Sequence, residues 1–453
     1  MPLIDVKSLE TTIDTWLERV EIVNPAPKRR TDDFRSSAGM ASPPRSLSPS
    51  KRQRVSCTDN DAAATPRPTK IPCTSIHDDV SDIVSLSISQ ISGQSGQSAK
   101  RSGQSGRSSP VKKEAAMRQA SELPLRRKPL DELLEAEPQF PDLVQFIKRL
   151  ADLKDKEGIL PRVLEQHIRS RATLSDPIRD WMFSPRPEEE PPEYQHHNLY
   201  VYERVRRICK ASQQCNDAAH PIHEVEWNDK VHAALLELAL DTAAISNPTR
   251  LLVYHNITNV RLAKEFQDRD LLLKENRVDY GIFLAPDSDS ELGQRIAMHQ
   301  RRQRDSANAL ESHSQPQPQL HALHAYEPDR PLAISIETKR NRGNDGQAPS
   351  QLANWARAHF RAISETLRAC RDSDHVGESS GLVHPLIELD GTAWHISFAI
   401  REGRHVTVYS SVRLGSTETV TDCYALLRCL EQVAWWCANP HWNWWTKILQ
   451  RCG

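Results

Sequence analysis

Two acidic residues and a lysine stand at the ends of apolar stretches in the second half of the chain. Asp279 begins the run VDYGIFLA, and the triplet Glu337-Thr338-Lys339 ends the run PLAISIETK. If both runs are strands, side-chain alternation places Glu337 and Lys339 on one face and Thr338 on the other. Two carboxylates that converge from neighbouring strands would form a hard oxygen site suited to Mg²⁺ or Mn²⁺.

Phosphodiester hydrolysis is the chemistry that needs such a trio. A divalent ion would stabilise the charge that develops on the phosphate and would lower the pKa of the attacking water. Lys339 would orient that water or neutralise the phosphate. A Glu-x-Lys triplet also occurs by chance where a strand meets solvent, so the triplet alone is a weak signal.

The elements around these residues follow an α/β order. The patterning predicts a helix over residues 222–241, strands over 251–257, 278–285 and 331–338, and a helix over about 349–370. Two strands joined at Gly403 form a predicted hairpin, and a helix over about 418–437 follows it. The polar stretch of residues 291–319 is predicted to be an inserted mobile loop.

The region from about Ile222 to Trp445 resembles the fungal PD-(D/E)XK nuclease-like domain family, a branch of the restriction-endonuclease-like superfamily. The stretches that carry the resemblance are EWNDKVHAALLELAL, YHNITNVRLAKEF, VDYGIFLAPD, AISIETKR with QLANWARAHF after it, and GTAWHISFAIREG. The resemblance implies an αβββαβ core with a mixed central sheet. Val278 stands where the family motif has a proline, a departure that the superfamily tolerates.

The resemblance also assigns roles to individual residues. It implies that Asp279 and Glu337 are metal ligands and that Lys339 is the catalytic lysine. Gln351, at the start of the following helix, matches a polar position that supports the site. Either Glu226 or Glu224 on the first helix would complete it, although helix glutamates are usually just solvated.

The first half of the chain differs in composition from the second. Residues 1–23 pattern as a short amphipathic helix that could dock on a protein partner, and residues 24–118 form a predicted disordered, basic, Ser/Pro/Gly-rich arm. Residues 119–212 are predicted to be a helical N-terminal region, and residues 213–453 the nuclease-like domain. Lys28-Arg29-Arg30 and the run SPSKRQR resemble nuclear-import signals, so we expect a nuclear protein, or otherwise a cytoplasmic one.

Composition excludes some classes of protein. The formal net charge is −1. The sequence contains no run of about 18 apolar residues, so no membrane span is predicted. Nine cysteines form no CxxC pair with a matching His or Cys pair, which favours reduced thiols.

Several further residues have competing interpretations. For the C-terminal tryptophans, a packing role is a better interpretation than stacking on bases. The C-terminal cysteines are predicted to be buried thiols, and three histidines are predicted to be structural. Arg340 and Arg342 are candidate phosphate contacts, with surface solvation as the alternative. The tryptophans are Trp435, Trp436, Trp442, Trp444 and Trp445, the cysteines are Cys423, Cys429 and Cys437, and the histidines are His232, His255 and His359.

The expected function is that of a Mg²⁺-dependent endonuclease acting on nucleic acid, with DNA as the first expectation. A second interpretation is a nucleic-acid-binding module that keeps this fold without turnover. A third is a protein-interaction factor whose N-terminal helix and arm are the working parts. The sequence leaves the strandedness of the substrate and the oligomeric state open.

Overall fold

A seven-stranded mixed sheet organises the part of the chain that the structure describes. The computed structural model describes residues 109–120, 122–136, 139–185, 192–216, 222–268, 277–309, 320–323, 326–339, 347–369 and 381–451. The strands are β1 (Leu125–Lys128), β2 (Leu252–Asn256), β3 (Tyr280–Leu284), β4 (Leu332–Lys339), β5 (Val383–Asp390), β6 (Ala393–Glu402) and β7 (His405–Ser416). Their order across the sheet is β1-β7-β6-β5-β4-β3-β2.

Two pairs of neighbouring strands are parallel, β4 with β5 and β1 with β7, and the other four pairs are antiparallel. The helices are α1 (Pro110–Arg118), α2 (Leu130–Glu135), α3 (Pro141–Lys154), α4 (Glu165–Arg169), α5 (Pro192–Asn216), α6 (Glu224–Trp227), α7 (Ala233–Ser246), α8 (Glu291–Ala309), α9 (Gln347–Ala369), α10 (Val420–Trp436) and α11 (Trp442–Arg451). The parallel pair β4–β5 is joined through α9, as a crossover connection requires.

Helices cover both faces of the sheet. His384 of β5 lies against His359 of α9, with 4.5 Å between ring centroids, so α9 covers one face. Trp394 of β6 lies against His232, in the helical turn between α6 and α7, on the opposite face. Because both faces are covered, β3 is buried along its whole length and β4 along all but its last residue, Lys339.

The predicted elements of the nuclease-like region are confirmed with shifted ends. The predicted first helix is α6 and α7 with a π-helical turn, Asn228–His232, between them. The hairpin turns at Gly403, whose φ of 59° lies in the left-handed region that favours glycine. None of the described helices is both long and apolar enough to cross a membrane.

The prediction of a mobile loop is wrong for Glu291–Ala309, which form α8. Leu292, Ile296 and His299 recur at helical spacing and are buried, and α8 packs on α11. The polar composition of this segment hid a narrow apolar stripe.

The prediction of disorder is likewise wrong for the end of the arm, where α1 forms. The Ser109 hydroxyl accepts a hydrogen bond from the backbone N–H of Lys112, Pro110 occupies the first turn, and Met117 is buried. The predicted helix over residues 1–23 and the arm up to residue 108 lie outside the described residues.

The predicted boundary at residue 212 is not a break in the structure. Gly106–Gly453 fall into one compact unit, β1 adds an edge strand to the sheet, and α3 packs on α10.

Two strands, β1 and β5, were not predicted. In β5, Pro385 and the charged residues Glu388 and Asp390 disguise a central strand, because proline is rare in such strands.

Arg357 ties the segment before β1 to helix α9. Its guanidinium is buried and donates to the carbonyl oxygens of Leu123 (2.8 Å) and Glu122 (3.0 Å) and to Asp268 Oδ2 (2.8 Å). We expect Arg357→Met to lower the free energy of unfolding by about 3–5 kcal/mol, because the Leu123 and Glu122 carbonyl oxygens lose this buried donor and Asp268 is left with the more distant Arg361 guanidinium (3.4 Å). Urea unfolding would show this, and Arg404→Met, at the exposed hairpin turn, should change stability by less than about 0.5 kcal/mol. Equal losses in the two variants would contradict the role of Arg357.

Candidate active site

Glu337 and Lys339 meet at the end of β4, as strand alternation predicts. Glu337 is 2% exposed, and the Lys339 ammonium donates a hydrogen bond to its Oε1 atom. The same ammonium donates to the carbonyl oxygen of Thr338 at 2.9 Å. Glu337 Oε2 is buried and has no hydrogen-bond partner among the described residues. One oxygen of this carboxylate is therefore neutralised and the other is not.

Asp279 lies beside this pair, just before β3 begins, and is held mainly by Thr338. Its Oδ2 atom accepts hydrogen bonds from the Thr338 backbone N–H (2.9 Å) and hydroxyl (2.7 Å). The Thr258 hydroxyl lies 3.3 Å from Asp279 Oδ1 but only 2.8 Å from Asn256 Oδ1. Because a hydroxyl donates one hydrogen, Asp279 Oδ1 keeps acceptor capacity.

Glu224, the first residue of α6, is the helix glutamate that the structure places at the site. Its Oε1 atom is 3.4 Å from the Thr338 hydroxyl, on the face opposite Glu337. Glu226 instead pairs with Lys230 at 2.5 Å and is 44% exposed. The sequence left the choice between these two glutamates open, and the fold favours Glu224.

Gln351 contacts the segment that leads into Asp279. Its Nε2 donates to the carbonyl oxygen of Arg277 at 3.3 Å, while its Oε1 is buried without a partner among the described residues. Gln351 therefore helps to hold Asp279 in place through the backbone, and no described contact joins it to Glu337 or Lys339.

Electrostatics distinguish the carboxylates. Burial, with the neighbouring charge of Asp279, raises the pKa of Glu337 to about 8, although Lys339 opposes that rise. Burial would lower the pKa of Lys339, but the Glu337 carboxylate outweighs it and raises that pKa above its ordinary value. Burial also raises the pKa of Glu224, with Lys339 opposing and Asp279 adding to the rise. The positive charge of Lys339 therefore does not balance the negative charges of Glu337, Asp279 and Glu224.

Sequence reasoning missed three polar residues at this end of the sheet. The Thr338 hydroxyl donates to Asp279, and the Thr258 hydroxyl lies 3.3 Å from it. Because a buried hydroxyl needs a hydrogen-bond acceptor, a threonine at a buried strand end could have indicated a nearby carboxylate. Glu388 of β5 lies in register with Glu337 and is half-buried, and burial raises its pKa. Recognition of β5 as a strand would have placed Glu388 on the face that Glu337 shares.

The other singled-out residues serve packing. His232, His255 and His359 pack against aromatic or imidazole rings, and no described contact joins them to the site. Cys423, Cys429 and Cys437 are buried free thiols, as predicted. Trp436, Trp442 and Trp445 are buried and Trp444 packs on Trp445, whereas Trp435 is 43% exposed beneath the guanidinium of Arg149. Arg340 and Arg342 lie outside the described residues.

The residues at this end fit a divalent cation. Asp279 and Glu337 would hold it, since each has carboxylate acceptor capacity and Glu337 Oε2 is a buried oxygen with no other compensation. No group of three or more His, Cys, Asp or Glu side chains could hold a metal ion in the described part of the chain. Mg²⁺ commonly binds through one or two carboxylates and keeps several waters, so a pair suffices.

A family model decides the classification. The model of the PD-(D/E)XK nuclease superfamily matches residues 167–442, which is well over half of the chain. The chain belongs to the PD-(D/E)XK nuclease superfamily. The mixed sheet with flanking helices is accordingly a restriction-endonuclease-like α/β fold, and nucleases of this superfamily generally use divalent metals. The search of curated proteins found no match.

The raised pKa of Glu337 predicts how stability depends on pH in EDTA. The folded state favours the protonated carboxyl, so stability is highest below the ordinary pKa of 4.5 and falls as pH rises towards about 8. We expect Glu337→Gln to remove this fall, gaining on the order of a few kcal/mol at pH 8. Urea unfolding from pH 5 to 8 would measure it. Glu226→Gln should keep the wild-type slope, and identical slopes for Glu337→Gln and wild type would contradict the assignment.

Proposed function

We propose that this chain is a divalent-cation-dependent nuclease that hydrolyses phosphodiester bonds of nucleic acid, with DNA as the first substrate to test. The observation that carries the proposal is the Glu337 carboxylate, buried in the sheet with one oxygen on Lys339 and the other without a partner. A structural ion pair would be expected to satisfy both oxygens. A carboxylate left half-compensated beside Asp279 and Glu224 is better explained as a cation ligand.

The residues divide the work of hydrolysis. A bound cation would supply positive charge for the phosphate and for activation of the attacking water. Thr338 fixes Asp279 through two hydrogen bonds, so the carboxylate is oriented before a cation arrives. Lys339 holds its ammonium against Glu337 and the Thr338 carbonyl, from where it can donate to the water or to a phosphate oxygen.

Two exposed arginines that neighbour site residues in the sequence are candidate contacts for the substrate backbone. Arg277 precedes Asp279 by two residues, and Arg261 follows Thr258 by three. Both side chains are exposed, and neither forms an ion pair with the described residues. Exposed guanidinium groups are suited to phosphate contacts, which position nucleic acid without reading its sequence. The expected nuclear localisation, which rests on the basic runs of the arm, is part of this proposal.

Cleavage should depend on the metal and on both members of the Glu-x-Lys triplet. Purified full-length protein would be incubated with plasmid DNA, single-stranded DNA and RNA in Mg²⁺, Mn²⁺ or EDTA. We expect cleavage with a metal and none in EDTA, and losses of at least about 100-fold in Glu337→Gln and Lys339→Met.

Glu226→Gln is the matched control for this assay, since Glu226 lies on the same helix as Glu224 but pairs with Lys230 at the surface. It should retain wild-type cleavage. If folded wild-type protein binds nucleic acid but cleaves none of the substrates with either metal, the chain is a binding module that keeps the fold.

The two arginines should set the salt dependence of binding. In EDTA, the double variant Arg261→Gln/Arg277→Gln should reduce the slope of log affinity against log salt by about 2, or about 1 for each phosphate contact. Fluorescence anisotropy with a labelled DNA duplex would measure the slope. Arg404→Gln, at the hairpin turn on the opposite end of the sheet, is the matched control and should leave the slope unchanged. An unchanged slope in the double variant would place the substrate elsewhere.

A further inference from the structure

A row of polar side chains crosses the sheet from the candidate active site towards the β1 edge. Glu337 of β4 is paired in register with Glu388 of β5. Glu388 lies opposite His395 of β6, and His395 lies opposite Arg413 of β7. Residues directly opposite each other in neighbouring strands have their side chains on the same face. This cross-strand row therefore begins at a proposed cation ligand and ends at a guanidinium three strands, or roughly 14 Å, away.

The cross-strand row becomes more exposed with distance from the candidate active site. Glu337 is 2% exposed, Glu388 and His395 are half-buried, and Arg413 is exposed. Ser397, two residues after His395 in β6, is half-buried on the same face. The β6 residues on either side of Ser397 belong to the other face and are buried. At this end of the sheet, the face with Glu337 is thus partly open to solvent over β6 and β7.

Charge along the cross-strand row changes from negative to positive. Burial raises the pKa of Glu388, and the charges of Arg127 and Lys339 oppose that rise, so both cations lie near this carboxylate. Arg127 of β1 also pairs with Glu114 at 3.1 Å. Arg413 is exposed, and no described residue forms a hydrogen bond or an ion pair with it. The far end of the row therefore has a guanidinium available for an anion.

A nucleic-acid strand is a ligand that matches both ends of the row. Its phosphates recur along the chain, so a strand with one phosphate at the candidate active site must present further phosphates beside it. In a DNA duplex one strand advances 3.4 Å along the axis per nucleotide, so roughly 14 Å corresponds to about four nucleotides. The Ser397 hydroxyl and the Arg413 guanidinium are donors of the kind that contact phosphate oxygens. A small anion would not span this distance.

We propose that one strand of a nucleic-acid substrate lies along the cross-strand row, with its scissile phosphate at Glu337 and Lys339 and a flanking phosphate on Arg413. The path rests on the proposed function, because that function places the scissile bond at Glu337. Arg413 binds and does not take part in the chemistry, since it lies roughly 14 Å from Glu337 across the sheet.

Fluorescence anisotropy of a labelled DNA duplex with the full chain, in EDTA at about 0.1 M salt, tests the path. Arg413→Glu should weaken binding at least about tenfold, and Arg413→Gln should reduce the slope of log affinity against log salt by about 1. Arg413→Lys keeps the charge and should keep the slope. Arg404→Glu is the matched control, because it makes the same change in net charge at the exposed hairpin turn where β7 begins. It should bind within about twofold of wild type, since charges beyond about 10 Å are screened at this salt concentration.

A cleavage assay separates binding from chemistry. If the wild type cleaves DNA, Arg413→Glu should need at least about tenfold more DNA for half-maximal rate and keep its rate at saturation within about twofold. Thermal melting of each variant shows that a loss of binding is not a loss of fold.

Equal affinities of Arg413→Glu and Arg404→Glu would overturn the path, whether both variants bind like wild type or both are weakened. That result together with metal-dependent cleavage by the wild type would leave the proposed nuclease intact. Weakening by Arg413→Glu alone, in a chain that cleaves nothing, would instead support Arg413 as a nucleic-acid contact and contradict the nuclease. A wild type that binds no nucleic acid would overturn both proposals.

Discussion

The burial of the Glu337 carboxylate is the constraint on which the candidate active site depends. A charged oxygen in the interior of a sheet is unfavourable unless positive charge or hydrogen bonds compensate it. Lys339 compensates one oxygen, and no described residue compensates the other. Asp279 and Glu224 add negative charge nearby, which makes the ionised form of Glu337 still less favourable. Under the proposed function, a divalent cation at this position would offset that cost.

The topology of the sheet explains how these groups come together. β4 lies between β3, which brings Asp279, and β5, which brings Glu388 into register with Glu337. The crossover through α9 is what makes β4 and β5 parallel, so both strands end at the same edge of the sheet. Thr338 then links the two faces, because its backbone and hydroxyl hold Asp279 while its hydroxyl also approaches Glu224.

The two ends of the sheet differ in chemistry. The end with Asp279, Glu337 and Lys339 collects carboxylates and one ammonium, whereas the end where β5 begins is lined by aromatic rings. Elements outside the αβββαβ core build the second end. The start of α3, the end of α10 and the start of α11 form its walls, and α8 packs on α11.

Much of the core was predictable from sequence, because its signals are local. Apolar runs that begin at Asp279 or end in Glu337 and Lys339 indicate strands with polar ends, and alternation fixes which residues of one strand share a face. The order of elements and the place of the hairpin at Gly403 follow from the same local patterns. Local signals failed at β5, where Pro385 and two acidic residues mask the strand, and at α8, where the apolar stripe is narrow.

The sequence by itself determined the residue types at the site, the faces of β4 and the family. Only the tertiary structure decided that Glu224 rather than Glu226 faces Thr338, that Thr338 holds Asp279, and that Glu337 Oε2 has no partner. The physical reason is that these contacts join residues 59 or 114 positions apart in the chain. Such pairings depend on strand register and helix placement, which no local pattern specifies.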